Sequence, residues 1–324
     1  MKVIIKIIKA LIPRSIKTWI KQQITLPHLR PVSPYPPPPS IPPENMVHQY
    51  TQGGEIDILY RYFDNTRFDD DRIIFTIDSY KQVFSKLKRG TFIYYGKEGK
   101  ALLLALDKYE IKGKDIIIWG LAGCNCEAIA IWKGAKNVYV VEYNKPVCEY
   151  PGIEVFNHEE ITKRQVQAHC AISYSTFEHD GLGSYGDPLN PDGDLRAMKE
   201  AHKFLYKNGI LFLGVPLGID CVVWNEKHIY GEKRLPLLLK GWKLLDCFDV
   251  YHNNDENYPF NLPKGESTQN TLVLQRIEED FPEDDYLLKV LPNDNEIMRN
   301  ANIVNQINKM LYKYKQNFFR QNNQ

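Results

Sequence analysis

Apolar and polar positions divide the chain into regions of different periodicity. Over residues 1–24, MKVIIKIIKALIPRSIKTWIKQQI, a helical wheel puts Lys2, Lys6, Lys9, Lys17 and Lys21 on one arc. Ile4, Ile5, Ile8, Leu11 and Ile16 fall on the other. This predicts a basic amphipathic helix over residues 1–26, kinked or divided at Pro13. Lys6 and Lys9 interrupt the apolar run, so it reads neither as a secretory signal nor as a membrane span. Such a helix suits a membrane surface, or one side of the protein's own body. A proline-rich run from Pro27 to Pro43 then precludes helix and central strand. It predicts an extended linker over residues 27–49. Two uses fit it: a tether between an anchor and a domain, or a ligand for a proline-reading partner.

From residue 50 the pattern is that of a folded domain, expected to run to about residue 290. RIIFTID and TFIYYG read as short strands or buried turns, and EGKALLLALDKYEI as a helix. A regular alternation begins at Lys114. DIIIWG is a continuous apolar run of strand length, and EAIAIWKG a helix stopped by Gly134. KNVYVVEYN, IEVFN and CAISYS are further strands. DLRAMKEAHKFLYKNG reads as a helix with a glycine stop, followed by the strand GILFLGVPLG. WKLLDCFDVY and TLVLQRI have no helix pattern between them and pair as an antiparallel hairpin. Strands that alternate with helices predict a doubly wound, Rossmann-like α/β fold. Its sheet is seven-stranded and mostly parallel, with the hairpin at one edge. Residues 291–324 read as a C-terminal helical tail.

With 324 residues, 43% of them apolar, the chain can bury one large core. A net charge of +1 supplies no basic field for nucleic acid. The six cysteines are scattered, lack zinc spacing and lie mostly in apolar runs. They read as reduced thiols of a cytoplasmic protein, membrane-associated if the first helix is an anchor.

Ligands of doubly wound sheets sit at the carboxyl ends of the strands. There the chain carries WGLAGCNC, in which Gly120 and Gly123 allow close approach of a ligand. The helix that follows offers unpaired N–H groups. Glu142 ends the next strand, where a carboxylate can accept both hydroxyls of a ribose. GLAGCN lacks the G-x-G-x-x-G spacing of a dinucleotide site. The segment from DIIIWG to GAKNVYVVEYN resembles motif I and the acidic residue after it in class I S-adenosylmethionine-dependent methyltransferases. The resemblance covers about residues 93–277. It implies S-adenosylmethionine as cofactor, held by Gly120, Gly123, Asn125 and Glu142. The chain departs from the family pattern where Cys124 and Asn125 stand in place of further glycine.

After the strand CAISYS comes STFEHDGLGSYGDPLNPDGDLRAM, rich in carboxylates and turn residues. Asp192 or Asp194 is expected to cap the next helix. Glu178, His179, Asp180 and Asp187 remain as catalytic candidates. A histidine oriented by a carboxylate can take a proton from an attacking hydroxyl. The three aspartates 187, 192 and 194 match no standard metal loop, and no metal is expected. GVPLGIDCVVWNEKHIYGEKRLPLLLKGW follows the next strand. Its Trp224, Asn225, Tyr230 and Arg234 suit a polar ring as substrate-binding groups, or else pack into the core. This segment and the acidic loop together are similar to an uncharacterised domain-of-unknown-function family, number 268, first defined on nematode proteins. That resemblance covers about residues 94–277.

The expected activity is O-methyl transfer to a small polar or glycan-related acceptor. A non-catalytic scaffold that kept the fold, and a nucleotide- or NAD-linked sugar enzyme, are the alternatives. No nucleic-acid partner is expected, and a membrane surface is, through residues 1–24.

Overall fold

The computed structural model describes residues 37–63, 73–121, 123–143, 145–251, 253, 255–277 and 302–313. The expected helix over residues 1–26, the linker up to residue 36 and most of the tail lie outside them.

The chain runs through α1 (Glu44–Tyr50), β1 (Asp57–Tyr60), β2 (Ile74–Phe75), α2 (Ile77–Lys88) and α3 (Gly99–Lys108). The alternating part follows with β3 (Asp115–Trp119), α4 (Asn125–Trp132), β4 (Asn137–Val141), β5 (Val147–Cys148), β6 (Ile153–Phe156), α5 (His158–Arg164) and β7 (Ala168–Tyr174). Then come a 3-10 turn (Phe177–His179), α6 (Gly193–Lys203), β8 (Leu205–Leu217), β9 (Cys221–Trp224), β10 (Lys227–Ile229) and α7 (Leu235–Leu238). β11 (Trp242–Phe248) and β12 (Thr268–Arg276) complete the sheet, and residues 302–313 form a last helix, α8.

Seven strands form the main sheet in the order β11-β12-β8-β7-β3-β4-β6. β8, β7, β3, β4 and β6 are parallel, and β11 and β12 form the antiparallel edge. This is the doubly wound, Rossmann-like α/β fold. The run DIIIW explains its three layers. Ile116 and Ile118 belong to the core cluster under α2, α3 and α4. Ile117 and Trp119 belong to the cluster under α5, α6, α7 and α8. A strand buried on both faces has no polar side to show, hence the unbroken apolar run. The two isoleucines and the tryptophan at 116, 117 and 119 are each at most 7% exposed. Burial of one such side chain contributes about 1.5–3 kcal/mol.

One expectation is corrected, and two left open between strand and buried turn are resolved. The helix at DLRAMKEAHKFLYKNG ends at Lys203, and FLYKNG belongs to the strand side. Ala168 pairs with Leu205 and Cys170 with Ile210, so residues 206–209 bulge out of the ladder. Asn208 takes φ +61° there, and Gly209 serves the bulge instead of a helix stop. RIIFTID is a two-residue strand followed by a helix start, because the Thr76 hydroxyl accepts the Ser79 N–H and caps α2. TFIYYG holds no strand and is a turn that buries Phe92 and Tyr94.

The linker expected to residue 49 gives way to α1 at Glu44. β1 pairs in parallel with β9, whose other neighbour is β10. The Trp224 indole N–H donates to the Pro39 carbonyl at 3.0 Å, and the Tyr62 hydroxyl to that of Pro38 at 3.1 Å. Residues 37–63 thereby lie over the segment that follows β8. Among the described residues no helix is long and apolar enough to cross a membrane.

Candidate functional site

The chain leaves β3 for β4 and β6 on one side and returns to β7 on the other. The crevice of the fold therefore opens where β3 and β7 end. Gly120, just beyond β3, has φ +75°, and a Cβ there would collide with Thr176. The Thr176 hydroxyl donates to the Trp119 carbonyl at 3.1 Å, which locks the two strand ends together. The Leu121 N–H donates to the Glu142 carboxylate at 2.9 Å. Gly120, Leu121 and Glu142 line a cavity of about 360 Å³, closed on the other side by Phe177, His179 and Asp180. Gly123 and Asn125 lie beyond this lining, in the start of α4.

The loop from Ser175 to Asp192 is organised by one carboxylate. Asp187 accepts N–H groups from Gly181 at 2.8 Å, Gly183 at 3.0 Å and Tyr185 at 3.3 Å. The Tyr50 hydroxyl donates to the Gly181 carbonyl at 2.6 Å. Asp187 touches the cavity, but its oxygens are committed to the loop's own backbone. Its place is that of a loop organiser, and this corrects its expected catalytic part.

His179 lies at the end of the 3-10 turn, with Nδ1 2.5 Å from the Glu226 carbonyl. A carbonyl only accepts, so Nδ1 carries the hydrogen, and the neutral ring has its lone pair on Nε2. Nε2 is 3.8 Å from the Glu178 carboxylate, which is buried. Asp180 is pushed well above the usual carboxylate range by burial, reinforced by Asp187, Asp194 and Glu178.

A second, polar cavity of about 320 Å³ adjoins the first. Tyr95, Ser175, His179 and Tyr185 line both. Tyr95 and Ser175 have φ +48° and +54°. Left-handed backbone at two non-glycine residues stores strain at this partition. Sequence reasoning missed Tyr95, Ser175 and Tyr185, along with Glu98 and Gln269 of the smaller cavity. Ser175 and Tyr185 sit inside the acidic loop already singled out. The others carry no motif, because β12 and the turn before α3 reach the site only through the fold.

Trp224, Asn225, Tyr230 and Arg234 line neither cavity, and each is at most 1% exposed. This corrects their expected part as a substrate wall. Trp224 packs edge-on against Tyr50 at 5.1 Å, and the Asn225 side chain accepts the Phe63 N–H. Arg234 donates through Nε and Nη2 to the two oxygens of Asp194 at 2.8 and 2.5 Å, and through Nη2 to the Pro191 carbonyl at 2.7 Å. The Tyr230 hydroxyl donates to the same carboxylate at 2.9 Å. Burial alone would raise the Asp194 carboxyl, but Arg234 outweighs it and holds it below its ordinary value. The expected cap is corrected too. Asp192 stands at the cap position without a side-chain cap bond, and Asp194, paired with Arg234, accepts from the backbone only the adjacent Leu195 N–H at 2.9 Å. Among the described residues no cluster of histidine, cysteine and acidic side chains could hold a metal.

Solved structures similar to this chain include the Burkholderia thailandensis 1,6-didemethyltoxoflavin-N1-methyltransferase with bound S-adenosylhomocysteine. It is 12% identical at a TM-score of 0.41, over 61% of this chain and 87% of that one. The segment StiE O-MT is 12% identical at 0.42, over 76% and 96%. A branched-chain polyamine synthase mutein of Thermus thermophilus is 13% identical at 0.37, over 67% and 68%. No curated protein matches the sequence. Residues 113–277, half of the chain, match the model of a family described as "Caenorhabditis protein of unknown function, DUF268", and the chain belongs to that family.

Proposed function

We propose that the chain is an S-adenosylmethionine-dependent methyltransferase acting on a hydroxyl of a polar, glycan-related acceptor. The charge of the larger cavity carries this reading. Its lining holds the carboxylates of Glu142, Asp187 and Glu200 against the single guanidinium of Arg196, while burial raises the carboxyl of Asp180. That balance suits a sulfonium cation and opposes the pyrophosphate of a dinucleotide. The NAD-linked alternative is disfavoured on the same ground. The reading gives Glu142, just beyond β4, the ribose hydroxyls, and the cavity residues Leu121, Val141 and Phe177 an apolar purine face.

The cofactor would supply an electrophilic methyl carbon, whose bond to sulfur breaks as the acceptor's O–C bond forms. His179 Nε2 takes the acceptor's hydroxyl proton, and the Glu178 carboxylate beside it stabilises the imidazolium. The Glu226 carbonyl holds the ring in the tautomer that leaves Nε2 free.

Calorimetry of the full chain tests the cofactor assignment. S-adenosylmethionine and S-adenosylhomocysteine should both bind, and Glu142→Gln should weaken both by about tenfold. Absence of heat for either compound, with the protein folded, defeats the reading.

A further inference from the structure

The smaller cavity has a composition that no part of the donor site requires. Its lining carries three carboxylates, Glu98, Glu178 and Glu226, together with Lys227, Ser267 and Gln269. Glu178 is 1% exposed, and its Oε2 has no hydrogen-bond partner among the described residues. Its Oε1 receives a long contact from the Gln269 amide at 3.4 Å and lies 3.8 Å from His179 Nε2. A buried carboxylate oxygen without a donor costs free energy that a ligand's O–H or N–H recovers. Glu98 is fixed by the Gln269 N–H at 2.9 Å and the Tyr251 hydroxyl at 3.1 Å, both on Oε1. Glu226 is held by Arg61 at 3.1 Å. The acceptor groups are thus preset around the space.

The charges exclude two ligand classes. Three carboxylates repel a phosphate or carboxylate. Lys227 on the same lining and Arg61 against Glu226 offset two of the three carboxylates, which leaves this space nearer to charge balance than the larger cavity and disfavours a cation. What suits carboxylate acceptors together with ammonium, amide and hydroxyl donors is a group that both donates and accepts at several points. Neutral hydroxyls on a ring do so. The rings of Phe63, Tyr95 and Tyr185 supply flat apolar surface for the ring's C–H face.

We infer that the smaller cavity is the acceptor subsite, and that it takes a neutral polyhydroxylated ring, with Glu178 accepting from one of its hydroxyls. This rests on the methyl-transfer reading for which cavity holds the donor, and it goes further in giving the acceptor's location and charge class. The shared residues Tyr95, Ser175, His179 and Tyr185 then form the partition across which the two ligands meet. His179 faces both cavities, which places its Nε2 beside the bound ring.

Saturation-transfer NMR on the full chain tests this, with S-adenosylhomocysteine present. The probes are glucose, galactose, mannose, xylose and N-acetylglucosamine, against glucose 6-phosphate and glucosamine. At least one neutral sugar should receive saturation, and the phosphorylated and amino sugars should receive less. Glu178→Gln should weaken the neutral sugar about tenfold. Lys227→Met, a half-buried position, should weaken it several-fold and serves if the first variant fails to fold. Saturation of no neutral sugar, preference for the phosphate or the amine, or indifference to the folded variants overturns the inference. Heat from S-adenosylhomocysteine with no neutral sugar bound defeats the subsite and leaves the methyltransferase reading standing. A sugar signal that depends on Glu178 without such heat leaves the subsite and defeats that reading.

Discussion

Asp194→Asn should destabilise the protein severely while changing almost no volume. The Asp194 carboxylate is fully buried, and so is the Arg234 guanidinium that grips it with two hydrogen bonds. The variant keeps the shape but leaves one buried positive charge uncompensated. Breaking a buried pair in this way costs about 3–5 kcal/mol. For a domain of this size each kcal/mol is worth about 2–4 °C, so the melting temperature should fall by about 6–20 °C. Urea unfolding at pH 7, followed by circular dichroism, gives the free energy directly. Asp194 is held below its unfolded value, so the folded state binds fewer protons than the unfolded one on acidification. The stabilisation is therefore complete above the unfolded value of about 3.9 and is lost as pH falls through the folded one. Wild type should lose more stability than the variant over that window. The double variant Asp194→Leu with Arg234→Met should recover most of the loss, because it leaves no unpaired charge. A loss under about 1 kcal/mol for Asp194→Asn, or a double variant worse than the single one, would refute this account of the pair.

Two further outcomes follow from the ends of β3 and α4. Gly120→Ala should cost about 1–3 kcal/mol in urea unfolding, because it puts a methyl group into Thr176 at a left-handed position. It should also weaken S-adenosylhomocysteine in calorimetry, and an unchanged midpoint and affinity would be the contrary result. Glu127, buried in the first turn of α4, is raised to about 8 by burial. The folded state then holds a proton that the unfolded state releases above about pH 4.3, so this group's contribution falls as pH rises toward 8 and is flat beyond. Stability curves from pH 5 to 8 should show Glu127→Gln gaining on wild type with rising pH, and parallel curves would contradict the assignment.

Strands β3, β4, β7 and β8 were legible because burial on both faces leaves an uninterrupted apolar run. The hairpin of β11 and β12 was legible for the want of a helix pattern between its strands. α2 was not, since IDSYKQVFSKLK spends most of its positions on solvent and buries only Tyr80 and Val83. The rim of the larger cavity could be read locally, because Gly120 and Glu142 follow directly on two consecutive strands. The substrate wall could not. Trp224, Tyr230 and Arg234 have the composition of a sugar-binding segment and of a buried strut alike. What separates the two is Asp194, 40 positions earlier in the chain, lying against Arg234. Long-range pairing of that kind leaves no local periodicity. The same holds for Gln269, which meets Glu178 across 91 positions.

The parallel pairing of β1 with β9 also fixes an order of events during synthesis. Tyr60 lies opposite Trp224 in that ladder, and the Pro39 carbonyl waits for the indole N–H of the same tryptophan. When β1 leaves the ribosome its partner strand has not been made, and every strand from β3 to β8 is translated in between. The first described segment can pair only once β9 has been made, by which time the strands from β3 to β8 have all been translated. Residues 37–63 thus bond to segments made long after them, and the Tyr50 hydroxyl bond to Gly181 ties the acidic loop to the same late pairing.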